Sequence, residues 1–219
     1  MFAWPHATLV DRVVPKTKIL ENATLSGRLK TLLTEQIREI RWLAKLAPET
    51  LKLPATPQVG EIAVFRIALK GDDLDEALLD ILDKAMAPPI LFILQRPDGM
   101  EAHSAAFKRP SEADISQWVT GQRHATPFRA TGPEAPPLPA AIDLGHLYSA
   151  LLAPLLPLQA RKGESLTVQV ARCERFLILR KKLEQLTAKM HREKQFNRRI
   201  VINQELKPLE AELRALSSV

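Results

Sequence analysis

The chain has 219 residues, of which 46% are apolar and 26% are charged. This composition excludes a wholly disordered chain, and the length allows one medium domain or a domain with an appendage. The single cysteine, Cys173, excludes an intramolecular disulfide and favours a reducing compartment. No run approaches the roughly 20 apolar residues of a membrane span, so we expect a cytoplasmic protein without membrane contact.

The first predicted element is a long amphipathic helix that ends near Ala47 and Pro48. Its apolar positions recur at steps of three and four, the period of a helix with one buried face. These positions are Leu29, Leu32, Leu33, Ile37, Ile40, Leu43 and Leu46.

A strand, a helix and a second strand are predicted next. Residues 61–70 form a largely apolar run, residues 74–86 have apolar side chains at helical spacing, and residues 90–94 are continuously apolar. A unit of this length is typical of the crossover connection that joins two parallel strands.

The turn residues Pro97, Asp98 and Gly99 predict that the chain then reverses. Residues 100–108 should return as an antiparallel strand, and one or two edge strands follow over residues 117–120 and 125–129. After a Pro-rich stretch, the apolar residues 142–152 predict a short helix.

The last 59 residues differ from the rest in charge. Residues 161–219 contain 14 Lys and Arg against 7 Asp and Glu, whereas residues 1–160 contain 17 against 18. Two apolar seams at steps of three and four are typical of a coiled coil. The first is Phe176, Leu179, Leu183, Leu186 and Met190, and the second is Ile202, Leu206, Leu209, Leu213 and Leu216.

Because the second seam is offset from the first, this segment is either one kinked helix or an antiparallel hairpin that turns around residues 195–199. We favour the hairpin, since a narrow apolar stripe of this length needs a partner. Pro208 opposes a continuous second helix, and a break just before it would shorten that arm.

The whole pattern predicts an α+β protein in three parts. Residues 1–132 form a domain with a mixed β-sheet of four to five strands and packed helices. Residues 133–160 form a Pro-rich connector with a short helix, and residues 161–219 form a basic helical arm.

The basic side chains of the arm are the candidate contact residues. They form either a solvated helix face or a surface for phosphates or an acidic partner. Phe196 among them would either stack on a base or close the end of the seam. The predicted contacts are Arg180, Lys181, Lys182, Lys189, Arg192, Lys194, Phe196, Arg198 and Arg199.

Catalytic, cofactor and metal motifs are not found in the sequence, so we expect no cofactor and favour a non-enzymatic role while leaving activity open. One weak pattern, Asp80, Asp98, Glu101 and His103, resembles the acidic residues of metal-dependent nucleases. In that pattern His103 stands where such nucleases have a lysine. A metal-dependent nuclease is therefore the alternative from a different class.

Several segments of the chain resemble an uncharacterised prokaryotic family, domain of unknown function 4391. The segments are Pro15–Lys18 (PKTK), Leu46–Leu53 (LAPETLKL), Pro89–Phe92 (PILF), Arg192–Arg198 (REKQFNR) and Asn203–Leu206 (NQEL). The family has no established activity, so the resemblance implies no catalytic residues. Its members are often encoded beside helicase and DNA-methyltransferase genes of restriction-like or phage-defence clusters, which implies an accessory role by association.

Together these observations predict an accessory subunit of a bacterial restriction-like or phage-defence system. Its basic arm would dock a helicase or methyltransferase partner, or lie along DNA. The remaining alternative is a homodimeric coiled-coil scaffold joined through the arm.

Overall fold

The fold was obtained as a computed structural model, and the chain divides into two compact units, Met1–Leu155 and Leu156–Val219. We call them the sheet unit and the hairpin unit. The structure describes residues 2–22, 26–111, 113–114, 117–132 and 135–218. Pro133 and Glu134, which open the predicted connector, lie outside the described residues.

The sheet unit contains one mixed sheet. The strands found among the described residues are β1 (Leu9–Val13), β2 (Ile37–Leu46), β3 (Ile62–Leu69), β4 (Ile90–Gln95), β5 (Met100–Pro110), β6 (Trp118–Ala125) and β7 (Arg129–Ala130). Their order is β1-β2-β3-β4-β5-β6, with β7 paired to β5. Strands β3 and β4 are parallel, and the other named pairs are antiparallel. The α+β class and mixed sheet are confirmed, and the strand number exceeds the four to five predicted.

The main core of this unit lies between one face of the sheet and its helices. The helices of the unit are α1 (Lys16–Asn22), α2 (Gly27–Gln36), α3 (Pro48–Leu51), α4 (Ala77–Ala85) and α5 (Leu144–Leu152). Phe65 of β3 and Phe92 of β4 are buried in this core with Leu33 of α2 and Leu78 of α4. Each such side chain contributes about 1.5–3 kcal/mol of burial free energy.

The predicted first helix is too long, because its second half is strand β2. Helix α2 ends at Gln36, and Ile37–Leu46 pairs antiparallel with β3. The register with β3 shifts between Ile37 and Glu39 and again between Trp42 and Ala44. Each shift inserts an extra residue into the alternation of the strand. Ile37 and Ile40, three residues apart, therefore face the same core, which imitates the period of a helix.

The parallel crossover and the following hairpin are confirmed. Strands β3 and β4 are in parallel register and are joined through α4. Helix α4 begins at Ala77 rather than Leu74, and the Asp75 carboxylate accepts a hydrogen bond from the Ala77 amide at 3.0 Å. In the turn before β5, Asp98 Oδ1 accepts from the Met100 amide at 2.9 Å, and Gly99 has a φ of +82° that favours glycine.

The hairpin unit consists of helices α6 (Leu166–Arg192) and α7 (Phe196–Ser217), joined by a turn over residues 193–195. The two helices pack antiparallel, so the hairpin interpretation is confirmed and the single kinked helix is wrong. At 1.5 Å per residue, α6 is about 40 Å long and α7 about 33 Å. The Ser165 hydroxyl caps α6 by accepting from the Val168 amide at 3.4 Å.

Pro208 lies inside α7, and the helix continues through it. The second arm is therefore not shortened by a break before Pro208. The proline removes one backbone donor, but the buried side chains Leu206 and Leu209 on either side keep this stretch packed against α6.

In the described part of the chain, no helix combines the length and the apolar character needed to cross a membrane.

Candidate functional site

The apolar side of the hairpin is occupied by contacts between its two helices. Leu179 of α6 and Leu209 and Leu213 of α7 are buried together. The half-buried residues packed against them are Phe176, Leu183, Leu186 and Leu216. These are seam positions predicted from the sequence, and their burial leaves the opposite sides of both helices to the charged residues.

At the base of the hairpin, arginines bind within the unit. Arg172 donates from Nε and Nη2 to the two carboxylate oxygens of Glu164 at 2.8 and 2.7 Å, and both side chains are nearly buried. Arg172 also donates to the Leu216 carbonyl at 2.8 Å, and Arg161 donates to the Ser218 carbonyl at 3.0 Å. These bonds satisfy carbonyls at the C-terminus of α7, which lack partners inside their own helix. The charges of Arg161 and Arg172 are thus used internally.

Beyond the base lie the predicted contact residues, which we call the distal basic surface. Every one of them is exposed. The surface comprises Arg180, Lys181, Lys182, Lys189 and Arg192 of α6, Lys194 of the turn, and Phe196, Arg198 and Arg199 of α7.

Four cations of this surface lie along α6 in two lines, one opposite the seam and one at its flank. Lys182 and Lys189 are seven residues apart, and Lys181 and Arg192 are eleven residues apart, close to two and three whole turns. Each pair therefore lies on one line along the helix, with separations of about 10 and 16 Å along the axis. The arrangement is a cationic stripe rather than a point charge.

Carboxylates of the hairpin neutralise little of this charge. Arg180 contacts Glu184 at 3.3 Å, with both side chains more than half exposed, and Arg198 contacts Glu193 at 3.9 Å. Such exposed pairs contribute about 0–1 kcal/mol. The remaining six cations form no ion pair with any residue that the structure describes: Lys181, Lys182, Lys189, Arg192, Lys194 and Arg199.

Phe196 opens α7 and is 74% exposed, so it does not close the end of the seam. Ile200, one turn further along, and Val201 are also exposed, at 42% and 54%. An aromatic ring beside Lys194 and Arg198 is thus accessible to a planar partner such as a base.

The residues of the nuclease alternative do not share one site. Asp80 of α4 binds Arg123 on the helix-covered face of the sheet, with 2.7 Å between Oδ1 and Nη2. Glu101 of β5 neighbours the core residue Ala102 in sequence, so its side chain points to the other face. Asp98 is held in the turn, and no group of three His, Cys, Asp or Glu among the described residues could hold a metal ion.

Burial changes the ionisation of two groups on that second face. It raises the pKa of Glu101 and lowers the pKa of His103. The Glu101 carboxylate oxygen Oε2 is buried with no hydrogen-bond partner among the described residues. These features of Glu101 and His103 belong to a packed sheet face that Asp80 does not reach.

Sequence analysis missed a second concentration of cations, on the sheet unit. A cleft of about 860 Å³ is lined by Lys16, Arg38, Arg41 and Arg66, which come from α1, β2 and β3. Only Lys16 gave a signal in the sequence, as part of Pro15–Lys18. Arg66 is distant along the chain from Arg38 and Arg41, and it meets them only because β2 pairs with β3.

The fold and the distal basic surface define a class of protein: a mixed α+β unit followed by a basic helical hairpin. The chain belongs to the family described as Domain of unknown function (DUF4391), which matches residues 2–213. Neither the curated proteins nor the solved structures include a match to the chain.

Proposed function

We propose that this protein is a non-enzymatic accessory subunit whose hairpin docks onto a polyanion, with the DNA backbone as its first target. In this role it would serve a DNA-processing enzyme, a helicase or methyltransferase, in a bacterial restriction-like or phage-defence system. The observation that carries the proposal is the set of six distal cations that form no ion pair within the described protein.

The contrast between the base and the distal part of the hairpin supports this proposal. Arg161 and Arg172 at the base are bound to carbonyls and to Glu164, so those cations stabilise the fold. Six of the distal cations, in contrast, form no ion pair within the described part of the unit. When such cations neutralise DNA phosphates, the counterions condensed on the DNA are released, and this release favours binding.

The test is the salt dependence of DNA binding. A triple variant, Lys181→Gln, Lys189→Gln and Arg192→Gln, removes three charges from the stripe. Fluorescence anisotropy with a labelled DNA duplex should show weaker binding, and the slope of log K against log salt should fall by about 0.9 for each phosphate that the variant no longer neutralises. The matched control, Lys30→Gln, Lys52→Gln and Lys84→Gln, removes the same charge from exposed positions of the sheet unit and should keep the wild-type slope.

Equal slopes for the two triple variants would contradict DNA docking through the arm. If wild-type protein binds no DNA even at low salt, the docking target is instead a protein surface. That outcome would contradict the DNA part of the proposal.

Phe196 provides a second, independent readout. If its ring stacks on a base, Phe196→Ala should weaken binding of single-stranded DNA by about 1–3 kcal/mol and leave duplex binding nearly unchanged. Ile200→Ala, which removes a neighbouring exposed apolar side chain, is the control. Equal losses on single-stranded and duplex DNA would exclude stacking.

A homodimer is the second candidate, favoured by the exposed apolar residues Phe196, Ile200 and Val201 on α7. Light scattering of the full chain should then give twice the monomer mass, and Phe196→Ser with Ile200→Ser should return it to the monomer. A monomeric wild-type protein at high concentration would exclude this alternative.

A further inference from the structure

We infer that the cleft on the sheet unit binds a phosphate-bearing small molecule of nucleotide size. The cleft volume of about 860 Å³ falls within the range of about 300–1,000 Å³ that is usual for small-molecule sites. This site lies entirely within the sheet unit, so the inference does not depend on the function proposed for the hairpin.

The charges of the cleft favour an anion. Four cationic side chains line it against two carboxylates, Asp11 and Glu39. Both carboxylates are bound by Arg41, at 3.0 Å from its Nε to Glu39 and 3.0 Å from its Nη1 to Asp11. These two hydrogen bonds neutralise the charge of Arg41 and fix the orientation of its guanidinium. The lining therefore holds two more cationic than anionic side chains.

Lys16 and Arg38 are placed to contact a ligand. The Lys16 ammonium donates to the Ile37 carbonyl, which holds it at the cleft. Burial and the positive charge of Lys70 lower the pKa of Lys16, and a bound anion would offset that repulsion. Arg38 is exposed and forms no ion pair with the residues that the structure describes, so its guanidinium can bind a phosphate in the bidentate manner typical of arginine.

The remaining walls of the cleft fit a ring better than a bare phosphate. Val13 and Pro15, which are exposed, provide apolar surface, while Thr17 and Gln95 provide hydrogen-bonding groups. A molecule with both a phosphate and a flat, partly apolar group would contact both kinds of wall.

The cleft also lies at a place in the fold where ligands commonly bind. Ala68 is close to the carboxyl end of β3, and Gln95 is the last residue of β4, its parallel neighbour. Crevices at the carboxyl ends of parallel strands are the usual ligand sites of open sheets with crossover helices.

Calorimetric titration of the full chain with ATP and, separately, with pyrophosphate tests this inference. We expect ATP to bind with a Kd below about 1 mM and more tightly than pyrophosphate, because only ATP has a ring to contact the apolar wall. Arg38→Gln should weaken ATP binding at least tenfold, since the charge-assisted hydrogen bonds from its guanidinium to a phosphate are removed. Lys16→Gln should do the same, with its fold checked by circular dichroism.

Two controls separate this site from other effects. Lys30→Gln removes one exposed charge outside the cleft and should leave ATP binding unchanged. The triple variant of the distal basic surface should also bind ATP normally, which distinguishes failure of this site from failure of the hairpin. Absence of ATP binding, equal affinity for pyrophosphate, or equal effects of Arg38→Gln and Lys30→Gln would overturn the inference.

Discussion

At the scale of single residues, Lys108 of β5 shows how a basic side chain can be structural. It is only 1% exposed, and its ammonium donates to the carbonyls of Asp83 at 2.7 Å, of Met86, and of Pro88 at 3.2 Å. These carbonyls lie at and just beyond the C-terminal end of α4, where a helix lacks donors for its last carbonyls and favours a cation. Lys108 therefore fixes the end of α4 to the sheet.

We expect Lys108→Met to lower the free energy of unfolding by about 2–3 kcal/mol, because it leaves buried carbonyls without a donor. Urea denaturation followed by circular dichroism would measure this. Lys84→Met, which removes an exposed lysine from the same helix, should change stability by less than about 0.5 kcal/mol. Equal effects of the two substitutions would contradict the assigned role of Lys108.

Asp83 is a residue whose environment the sequence did not reveal. A carboxylate on an amphipathic helix is ordinarily solvated, but the Asp83 side chain is fully buried and binds Arg123. Arg123 reaches it from β6, forty residues away, and also contacts Asp80. Helical periodicity alone does not identify a partner that another strand supplies.

The buried pair of Glu164 and Arg172 predicts a dependence of stability on pH. Hydrogen bonds from Arg172 lower the pKa of Glu164 from 4.5 to about 2. Because the folded pKa lies below the unfolded one, the stabilisation is complete above about pH 4.5 and is lost as the pH falls towards 2. Glu164→Gln should thus destabilise the hairpin unit at pH 7 and flatten the loss of stability between pH 4.5 and 2.

Urea titrations at a series of pH values, monitored by the circular dichroism signal of the helices, would test this prediction. Glu212→Gln is the control, since Glu212 pairs with Arg175 at 2.9 Å but both side chains are largely exposed. In Glu212→Gln, the loss of unfolding free energy between pH 4.5 and 2 should be close to that of the wild type. If Glu164→Gln loses as much stability as the wild type between pH 4.5 and 2, the prediction is refuted.

At the scale of elements, α7 contains a residue that is unfavourable in a helix interior and that a substitution can replace. Pro208 in the helix interior removes a backbone hydrogen bond and crowds the preceding turn. We expect Pro208→Ala to stabilise the hairpin unit by about 1–2 kcal/mol, after the entropy that proline removes from the unfolded chain is subtracted.

Thermal unfolding followed by circular dichroism at a helical wavelength would measure the change. Pro57→Ala, in an exposed loop of the sheet unit, is the control and should give no gain, because there proline acts only through the unfolded chain. A lower melting temperature for Pro208→Ala would show that the proline is favourable where it stands.

Strand β2 shows the limit of periodicity at this scale. Its apolar residues follow helical steps because two bulges against β3 displace the alternation. The preceding ten residues do form α2, so one pattern spans two different elements. Local sequence distinguishes such cases poorly, since the bulge exists only in the paired sheet.

At the scale of the whole molecule, the sheet unit extends beyond the predicted domain limit at residue 132, to Leu155. The added segment contains α5, whose Tyr148 hydroxyl accepts from the Lys108 amide at 3.0 Å and donates to the Ala106 carbonyl at 3.3 Å. These groups flank the bulge in β5 where regular pairing with β6 is interrupted. Helix α5 thus completes the sheet.

We therefore expect a fragment of residues 1–155 to fold alone, since its main core cluster contains only its own residues. A fragment of residues 1–132 should aggregate or give an NMR spectrum with poor dispersion. In that fragment the buried backbone at Ala106 and Lys108 lacks its hydrogen-bond partner, the Tyr148 hydroxyl. Proton–nitrogen NMR spectra would distinguish them. Equally dispersed spectra for both fragments would show that α5 is dispensable.

Features that depend on neighbouring residues follow from the amino-acid sequence alone. The seams of α6 and α7, the crossover from β3 to β4 and the turn at Gly99 are all of this kind, because each follows from local spacing or turn chemistry. The distal basic surface was predictable for the same reason, since residues on one helix face are set by the helical period.

Which charges are bound within the protein and which face solvent, in contrast, is established only when the chain has folded. Arg172 and Lys181 look alike in the sequence, yet the first is bound to Glu164 and the second faces solvent. Strand β2 and the cleft around Arg38 likewise arise from pairing between distant segments. Such outcomes depend on long-range contacts, whose partners no local pattern of residues specifies.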